Sequence, residues 1–337
     1  MASKVLPAFV ICSALVALLM SSGCTSQADQ QSKTTADETI LLAFQPEPNS
    51  VTKYRIITEA HRSTEWQGPV PNKESLKQGH NDNRLEIIFS QFVPEPNEQI
   101  EQETTPALIK IEQVKYSSTV QGRTDLEFDS STNQDPNHPF AKLVGQTYGI
   151  TFTPDNHIPT VFGLSQGRHA VSGPEEINQI ALRIFSPELI RERHGTPAFP
   201  KGKKQHAILG DSWSTIKTFA FNFMGLKSYE RVYTLRDVVT SDGHRLAKIE
   251  MNAIPTSKLE RRFQKERMPQ PPTNFDSTDS YTGTAEVDLT DGLVNYCSEQ
   301  LTVTWTGVLP PDPKQGTTEP VVLKMSAGVL HRLERID

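Results

Sequence analysis

Apolar and polar residues alternate with a period of two along most of the chain, which is typical of β-strands with one buried face. Between residues 51 and 66, for example, Tyr54, Ile56 and Thr58 fall on the same face. The same pattern predicts strands at residues 85–93, 108–116, 117–128, 143–152, 158–164, 229–239, 246–254, 281–289, 293–308 and 321–336.

Two turn signals indicate how these strands are connected. Asp242-Gly243 and Asp291-Gly292 each separate two alternating runs, as in tight β-hairpins. Hairpin connections favour an antiparallel meander over a parallel sheet. The fold class is therefore predicted as mainly β (α+β), a curled antiparallel sheet or half-barrel with one or two helices packed on it.

One segment has the period of a helix. Ser172 and Glu175 have the spacing of a capping box, and an apolar stripe follows at Ile177, Ile180, Ala181, Ile184 and Phe185. These residues predict a helix over 172–186 that buries one face. We expect it to pack on the concave side of the sheet near Trp213 and Phe221, either in a filled core or above a cavity.

An aromatic row supplies the candidate ligand-binding residues, which are Trp213, Phe219, Phe221 and Phe223 on one parity of a predicted strand. Such a row can be an ordinary core, since every sheet needs a buried face. It can also form the wall of a cavity for an acyl chain or another apolar ligand. Both interpretations stay open at the level of sequence.

The N-terminus has the pattern of an export signal. Lys4 precedes an uncharged apolar run over residues 5–20, and small residues at 21–23 precede Cys24. Residues 1–23 are similar to a bacterial lipoprotein signal peptide, with Cys24 as the residue that receives the lipid, although Ser21 stands where an aliphatic residue is usual. Ordinary cleavage before an unmodified Cys24 is the alternative.

The remaining chain is predicted as a disordered polar tether at residues 24–39 and a single β-rich domain at 40–337. Loop insertions are expected near residues 94–106, 195–206 and 255–280, where Pro and charged residues concentrate. The 24 prolines of the 337-residue chain fit such a loop-rich β-protein better than a helical bundle. Without Cys12 and Cys24, Cys297 is the sole cysteine, so the mature domain cannot contain an internal disulfide.

Charge and motifs argue against several functions. The net charge of −6 gives no basic footprint for a nucleic-acid partner. The nine histidines are spaced singly and show no metal-binding pattern, and no nucleotide-binding glycine loop occurs, so no metal and no cofactor is predicted. The basic segments at 201–204 and 258–267 are interpreted as solvated connectors.

A catalytic alternative rests on Gly163-Leu-Ser165-Gln-Gly167, which matches G-x-S-x-G. Asp291 and His331 follow in the chain order of a serine hydrolase. The motif needs a sharp strand-to-helix turn at the serine. The sequence instead places the next helix after Ser172, which favours a glycine-rich loop.

The stretch at residues 205–305 resembles a family of secreted or lipid-anchored β-rich proteins common in planctomycete-type bacteria. The resemblance is carried by Gly210-Asp211-Ser212-Trp213, the strand at 229–239, the Asp242-Gly243 hairpin, Tyr281-x-Gly283 and Leu289-x-Asp291-Gly292, and weakly by residues 51–66. That family brings no established activity. A more remote similarity, at the level of fold, links the chain to half-barrel lipoprotein carriers.

These observations predict a non-enzymatic cell-envelope protein. It would be exported, held on the membrane through acylated Cys24, and would bind an apolar ligand or another envelope protein through its curled sheet. A serine hydrolase using Ser165 and a purely structural envelope component are the alternatives.

Overall fold

The computed structural model describes residues 38–68, 78–95, 104–133, 135–201, 205–221, 224–264, 275–311 and 318–336. Within them the chain forms three short helices and fourteen strands. The helices are α1 (Ser165–Ala170), α2 (Glu176–Arg183) and α3 (Pro187–His194). The strands are β1 (Ile40–Leu41), β2 (Val51–Gln67), β3 (Gly79–Phe92), β4 (Thr105–Val120), β5 (Arg123–Asp129), β6 (Thr147–Phe152), β7 (Val161–Phe162), β8 (His206–Ala207), β9 (Ser212–Ala220), β10 (Leu226–Ser241), β11 (His244–Thr256), β12 (Phe275–Asp288), β13 (Leu293–Leu309) and β14 (Val321–Arg335).

Twelve of the strands form one antiparallel sheet, and the predicted fold class is confirmed. The order across the sheet is β7-β6-β4-β3-β2-β14-β13-β12-β11-β10-β9, and β5 pairs with β4. The sheet is not closed into a barrel. The remaining two strands, β1 and β8, pair only with each other.

The last strand lies in the middle of the sheet. β14 pairs with β13 on one side and with β2 on the other, in a register that runs from Val322↔Gln67 to Arg335↔Tyr54. It therefore joins the meander of the first half of the chain to the meander of the second half.

Hairpin turns and bulges give the sheet its connectivity and curvature. Asp242 and Gly243 have φ angles of 51° and 83° in the β10–β11 turn, as a primed hairpin turn requires, so this predicted hairpin is confirmed. The register shifts between Ile88 and Phe89 in β3 and between Glu286 and Val287 in β12. Such bulges bend a strand and increase its twist, which lets a large sheet curl.

The predicted segmentation of the first half is partly wrong. Residues 117–120 continue β4 and do not begin a new strand, because the chain turns only at Gln121 and Gly122, both with positive φ. The strand expected at 143–152 begins at Thr147, after a 3₁₀ turn at Ala141–Leu143. Of the strand expected at 158–164, only Val161–Phe162 forms.

The helix expected over 172–186 is shorter than predicted. The Ser172 hydroxyl donates to the carbonyl of His169, so it bonds to the last turn of α1 and does not cap α2, which starts at Glu176. Pro187 does not disturb this helix but opens α3, whose N-cap hydroxyl on Ser186 accepts from the Leu189 amide.

The later boundaries also differ from the sequence prediction. β12 begins at Phe275, so part of the insertion expected at 255–280 belongs to the sheet. The basic segment at 258–267 contains a 3₁₀ turn at Arg261–Phe263 within its described residues. The predicted signal peptide at 1–23, with Cys24, lies outside the described residues, as does most of the tether at 24–39.

The helices pack into the concave face of the sheet. The alternation predicted for β2 is confirmed, because Tyr54 and Ile56 point into this core. Phe185 of the α2–α3 corner is fully buried and meets the ring of Tyr148 on β6 edge to face. Burying one such side chain stabilises the fold by about 1.5–3 kcal/mol. The helices are therefore fixed to the sheet near β6, and they leave a space further along the concave surface.

Candidate ligand-binding cavity

A cavity of about 880 Å³ lies between the concave face of the sheet and helices α2 and α3. Its walls come from β2–β5, β9, β10, β12–β14 and both helices. The volume falls in the range of about 300–1,000 Å³ that is usual for small-molecule sites. The concave face is therefore only partly filled by the protein's own side chains.

One half of the cavity has a mainly apolar wall, and its charged lining residues, Asp125, Glu176 and Arg183, are exposed to solvent. On the sheet side it is lined by Leu85, Tyr116 and Leu126, and Phe140 stacks on Tyr116 with ring centroids 4.8 Å apart. On the helix side the wall is formed by the α2 stripe, namely Ile177, Ile180 and Ile184. Part of the stripe predicted from the sequence thus faces the cavity, whereas its other members, Ala181 and Phe185, are fully buried in the core.

The other half has a buried carboxylate in its floor. Glu299 of β13 is 8% exposed and receives 2.6 Å hydrogen bonds from the hydroxyls of Tyr233 and Tyr281. Nη1 of Arg231 lies 3.1 and 2.9 Å from its two oxygens. Burial alone raises the pKa of Glu299, but the Arg231 charge and the two phenols outweigh it and lower the pKa to about 2. The carboxylate is thus ionised and balanced by Arg231.

A glycine provides the space for this cluster. Gly283 of β12 is the register partner of Glu299, and a Cβ built on it would lie 3.1 Å from the Glu299 side chain and 2.7 Å from the Ser298 carbonyl. A larger residue would push Glu299 away from its phenol donors. The Tyr281-x-Gly283 pair noted in the sequence therefore has a local packing role.

His331 of β14 lies beside this cluster as the other register partner of Glu299. Burial lowers its pKa, Glu299 opposes this effect, and Lys217 and Arg193 add to the lowering, which brings the pKa to about 4. The imidazole is therefore neutral at neutral pH. It lines the cavity as a group that can donate or accept a hydrogen bond.

Helix α3 brings further charges to the cavity. Glu192 lies 2.9 Å from Nζ of Lys217 on β9 and 2.7 Å from Nη2 of Arg262 in the loop after β11. Burial raises the pKa of Glu192, but the charges of Lys217 and Arg262 outweigh it and lower the pKa. One carboxylate is thus shared by two cations, and Glu260 is the second acidic partner of Arg262, at 3.3 Å.

Arg193, the next residue on α3, is 5% exposed and lines the cavity. Nη2 donates a 2.7 Å hydrogen bond to the Ile184 carbonyl, whereas Nη1 has no hydrogen-bond partner. No described carboxylate forms an ion pair with Arg193. Burial lowers its pKa, and this effect outweighs the opposing interactions, which are a charge interaction and a side-chain hydrogen bond with Tyr148 and a charge interaction with Glu192. A guanidinium stays charged in proteins, so this is a buried positive charge without a direct counter-ion.

Of the four predicted ligand-binding aromatics, one lines the cavity. Phe219 does so, whereas Trp213 stacks on Tyr233 and donates from Nε1 to the Pro197 carbonyl. Phe221 packs against the ring of Trp305, with centroids 4.9 Å apart. Phe223 lies outside the described residues. Trp213 and Phe219 share a parity on β9, and of the three described aromatics two serve packing beside the cavity.

The expectation that no helix follows the G-x-S-x-G motif is wrong. Gly163 has a φ of 73°, and α1 begins at Ser165 directly after β7. The serine itself does not have the positive φ typical of a strained turn, and its side chain is exposed. Within the described part of the chain, no hydrogen bond or ion pair joins any two of Ser165, Asp291 and His331. Asp291 instead pairs with Arg335 at 2.8 Å.

A group of ionisable side chains that the sequence spacing did not reveal lies at the β12–β13 turn. Nδ1 of His244 is 2.7 Å from Asp288 and 3.9 Å from Asp291. Asp288 also accepts from the backbone amides of residues 290 and 291, and Arg335 lies against Asp291. These partners use the carboxylate oxygens, so the group is explained as a brace between two hairpins.

The charged cavity residues could have been found from the sequence. Lys217 lies on the parity of Trp213 and Phe219, and Glu299 on the parity of Cys297 and Leu301. A charged residue on the inner parity of an apolar strand indicates a buried polar site. Arg193 gave no comparable signal, because α3 is too short to show a clear stripe.

No protein-family model matches the chain, and no curated protein sequence matches it. The family resemblance of residues 205–305 therefore stays a prediction. None of the described helices is long and apolar enough to span a bilayer.

Proposed function

We propose that this protein is a non-enzymatic, lipid-anchored component of the bacterial cell envelope that binds an apolar or amphiphilic ligand inside its curled sheet. The observation that supports ligand binding most directly is the 880 Å³ cavity with its apolar half under α2. A protein that served only as a structural component would gain stability by filling this space.

The ligand-binding part of the proposal is tested by blocking the cavity. Ile180→Trp adds a bulky ring to a half-buried α2 position that faces the cavity. The matched control is Ile254→Trp, because Ile254 is 60% exposed on β11. Wild type and the control should bind the neutral apolar probe Nile red with equal affinity, and Ile180→Trp should bind it at least tenfold more weakly. Equal binding by all three proteins would remove the support for a ligand in the cavity.

The anchoring part of the proposal rests on Lys4, the apolar run and the small residues before Cys24. In a bacterial host, labelled fatty acid should enter the wild-type protein and not the Cys24→Ser variant. Cys297→Ser is the control, because this buried thiol of β13 has no part in export. Equal labelling of wild type and Cys24→Ser would contradict the anchor.

A further inference from the structure

The two halves of the cavity differ in chemistry as well as in position. The mainly apolar half lies between α2 and strands β3–β5, and its charged lining residues, Asp125, Glu176 and Arg183, are exposed to solvent. The more buried charged residues come from α3 and from β9, β10, β13 and β14. A purely apolar ligand would leave the charged half in contact with trapped water. An amphiphile would match both halves, with its chain under α2 and its head group beside α3.

The charge balance at the polar end indicates the sign of that head group. Arg231 is balanced by Glu299, even though its Nε has no hydrogen bond. The remaining cations are Lys217, Arg193 and Arg262, and the carboxylates that pair with them are Glu192 and Glu260. One positive charge is left over, and Arg193 is the cation without a direct ion pair.

The same groups converge on His331. The charges that act on its imidazole are those of Glu299 on β13, Lys217 on β9, and Glu192 and Arg193 on α3. His331 in turn lowers the pKa of His194. Lys217, Arg193 and His331 therefore line the same cavity and are close enough to interact electrostatically. A buried cation with a free donor and no counter-ion is costly unless an anion joins it.

From this arrangement we propose that the ligand carries an anionic head group on an alkyl chain, and that Arg193 and Lys217 bind the head group beside His331. The proposal rests on the proposed function, since it assumes that the cavity holds a ligand. Carboxylate and phosphate monoester head groups share the required chemistry, because both accept charge-assisted hydrogen bonds from guanidinium and ammonium groups.

The experiment compares ligands that share a twelve-carbon chain and differ in their head groups. Dodecanoate, dodecyl phosphate, dodecanol and dodecylamine each displace Nile red from the folded protein, below their micelle concentrations. We expect dodecanoate or dodecyl phosphate to bind at least tenfold more tightly than dodecanol, and dodecylamine to bind most weakly. Whichever of dodecanoate and dodecyl phosphate binds more tightly indicates whether the ligand is a fatty acid or a lipid phosphate. Equal affinity for dodecanoate and dodecanol overturns the head-group proposal but keeps the cavity, whereas failure of all four overturns the proposed function itself.

Variants locate the head group. Lys217→Gln and Arg193→Gln should each lower the preference for the anion over dodecanol to within about threefold, with dodecanol affinity unchanged. Arg236→Gln is the control, because the Arg236–Glu250 pair is exposed on the outer surface. If Arg193→Gln does not fold, Lys217→Gln decides the outcome, since Lys217 is partly accessible. An unchanged preference in Lys217→Gln would contradict the assignment.

A measurement on the wild-type protein gives an independent result. An anion beside His331 favours its protonated form, so dodecyl phosphate, which keeps a negative charge near pH 4, should raise the His331 pKa measured by NMR titration, whereas dodecanol should not. A larger His331 pKa shift with dodecanol than with the anion, or equal shifts with both ligands, would show that the head group binds elsewhere.

Discussion

Glu192 of α3 and Lys217 of β9 form a 2.9 Å ion pair between a helix and an outer strand of the sheet. Arg262 reaches the same carboxylate from the loop after β11. Three separate parts of the chain thus meet at one side chain, and this contact holds α3 against the wall of the cavity.

Removing the shared carboxylate should loosen α3. We expect Glu192→Gln to lower the free energy of unfolding by about 1–2 kcal/mol, because Lys217 and Arg262 then face each other without a counter-ion and the site is partly shielded from water. Urea unfolding measures the effect. Glu250→Gln is the control, and its exposed pair with Arg236 should give a change below about 0.5 kcal/mol. Equal changes in the two variants would show that Glu192 does not hold the helix.

Substituting Glu299 should destabilise the protein much more than substituting Glu192. Glu299→Gln leaves the buried Arg231 charge without its partner, and we expect a loss of about 3–5 kcal/mol in the free energy of unfolding. The double variant Arg231→Met/Glu299→Leu removes both charges and should recover only part of that loss, because the hydroxyls of Tyr233 and Tyr281 then lack their acceptor. If the double variant is less stable than Glu299→Gln, the cost comes from lost packing rather than from an unpaired charge.

Acid should weaken the fold before carboxylates are protonated in the core. The pKa of His331 is about 4 in the folded protein and 6.5 as an ordinary value, so the unfolded chain binds the proton first. The stability from neutral His331 is fully present above pH 6.5 and is lost as the pH falls to about 4, by on the order of 2 kcal/mol.

The pKa of Glu299 lies at about 2 instead of its ordinary 4.5. The stability that its ionised form provides is therefore lost only as the pH falls from 4.5 to about 2. Urea titrations across the pH range separate the two steps. His331→Gln should flatten the profile between pH 6.5 and 4, whereas the exposed His169→Gln should leave it unchanged. A flat wild-type profile in this range would contradict the buried neutral imidazole.

The two ends of the predicted helical stripe should respond differently to truncation. Phe185 is fully buried, so Phe185→Ala should cost about 3–5 kcal/mol of unfolding free energy. Ile180 borders the cavity, so Ile180→Ala removes fewer contacts and should cost less than about 2 kcal/mol. Thermal unfolding with and without dodecanol completes the test, because a ligand in the cavity raises Tm by mass action. Similar costs for both truncations would indicate a filled core at Ile180.

Ser165 should not act as a nucleophile. It starts α1, but it lacks a strained backbone and any described hydrogen bond to a histidine. A fluorophosphonate probe should therefore fail to label the folded protein. Labelling that disappears in Ser165→Ala and persists in Ser214→Ala, a serine on β9, would identify a hydrolase.

Local chemistry made the hairpins predictable. Asp242-Gly243 predicts its two-residue turn, and Asp291-Gly292 predicts the second hairpin, although its loop spans the four residues 289–292. The period-two pattern of β2 predicts its buried face. Boundaries set by distant partners could not be predicted in this way. β4 extends to Val120 because β3 offers pairing partners up to Asn81. Ser172 bonds to α1 and not to α2 because α1 ends at Ala170, two residues before it.

The site was harder to predict than the fold for the same reason. Glu299, Arg231 and Tyr281 are far apart in the sequence and meet through the register of β10–β13. The sequence shows each charged residue on an inner parity, but it does not show which partner stands opposite. Arg193 becomes informative only when its buried surroundings are known.

The central position of β14 has a consequence for how the chain is made. Among the described strands of the large sheet, β2 comes first in the chain and β14 comes last, yet they are neighbours in the sheet. Until residue 335 has been added, β2 and β13 each expose an unpaired edge, and such edges invite pairing with other chains. The contacts that complete the sheet span nearly the whole sequence, which makes folding slow. The two edges are protected from other chains only once the fifteen residues of β14 have paired with both of them.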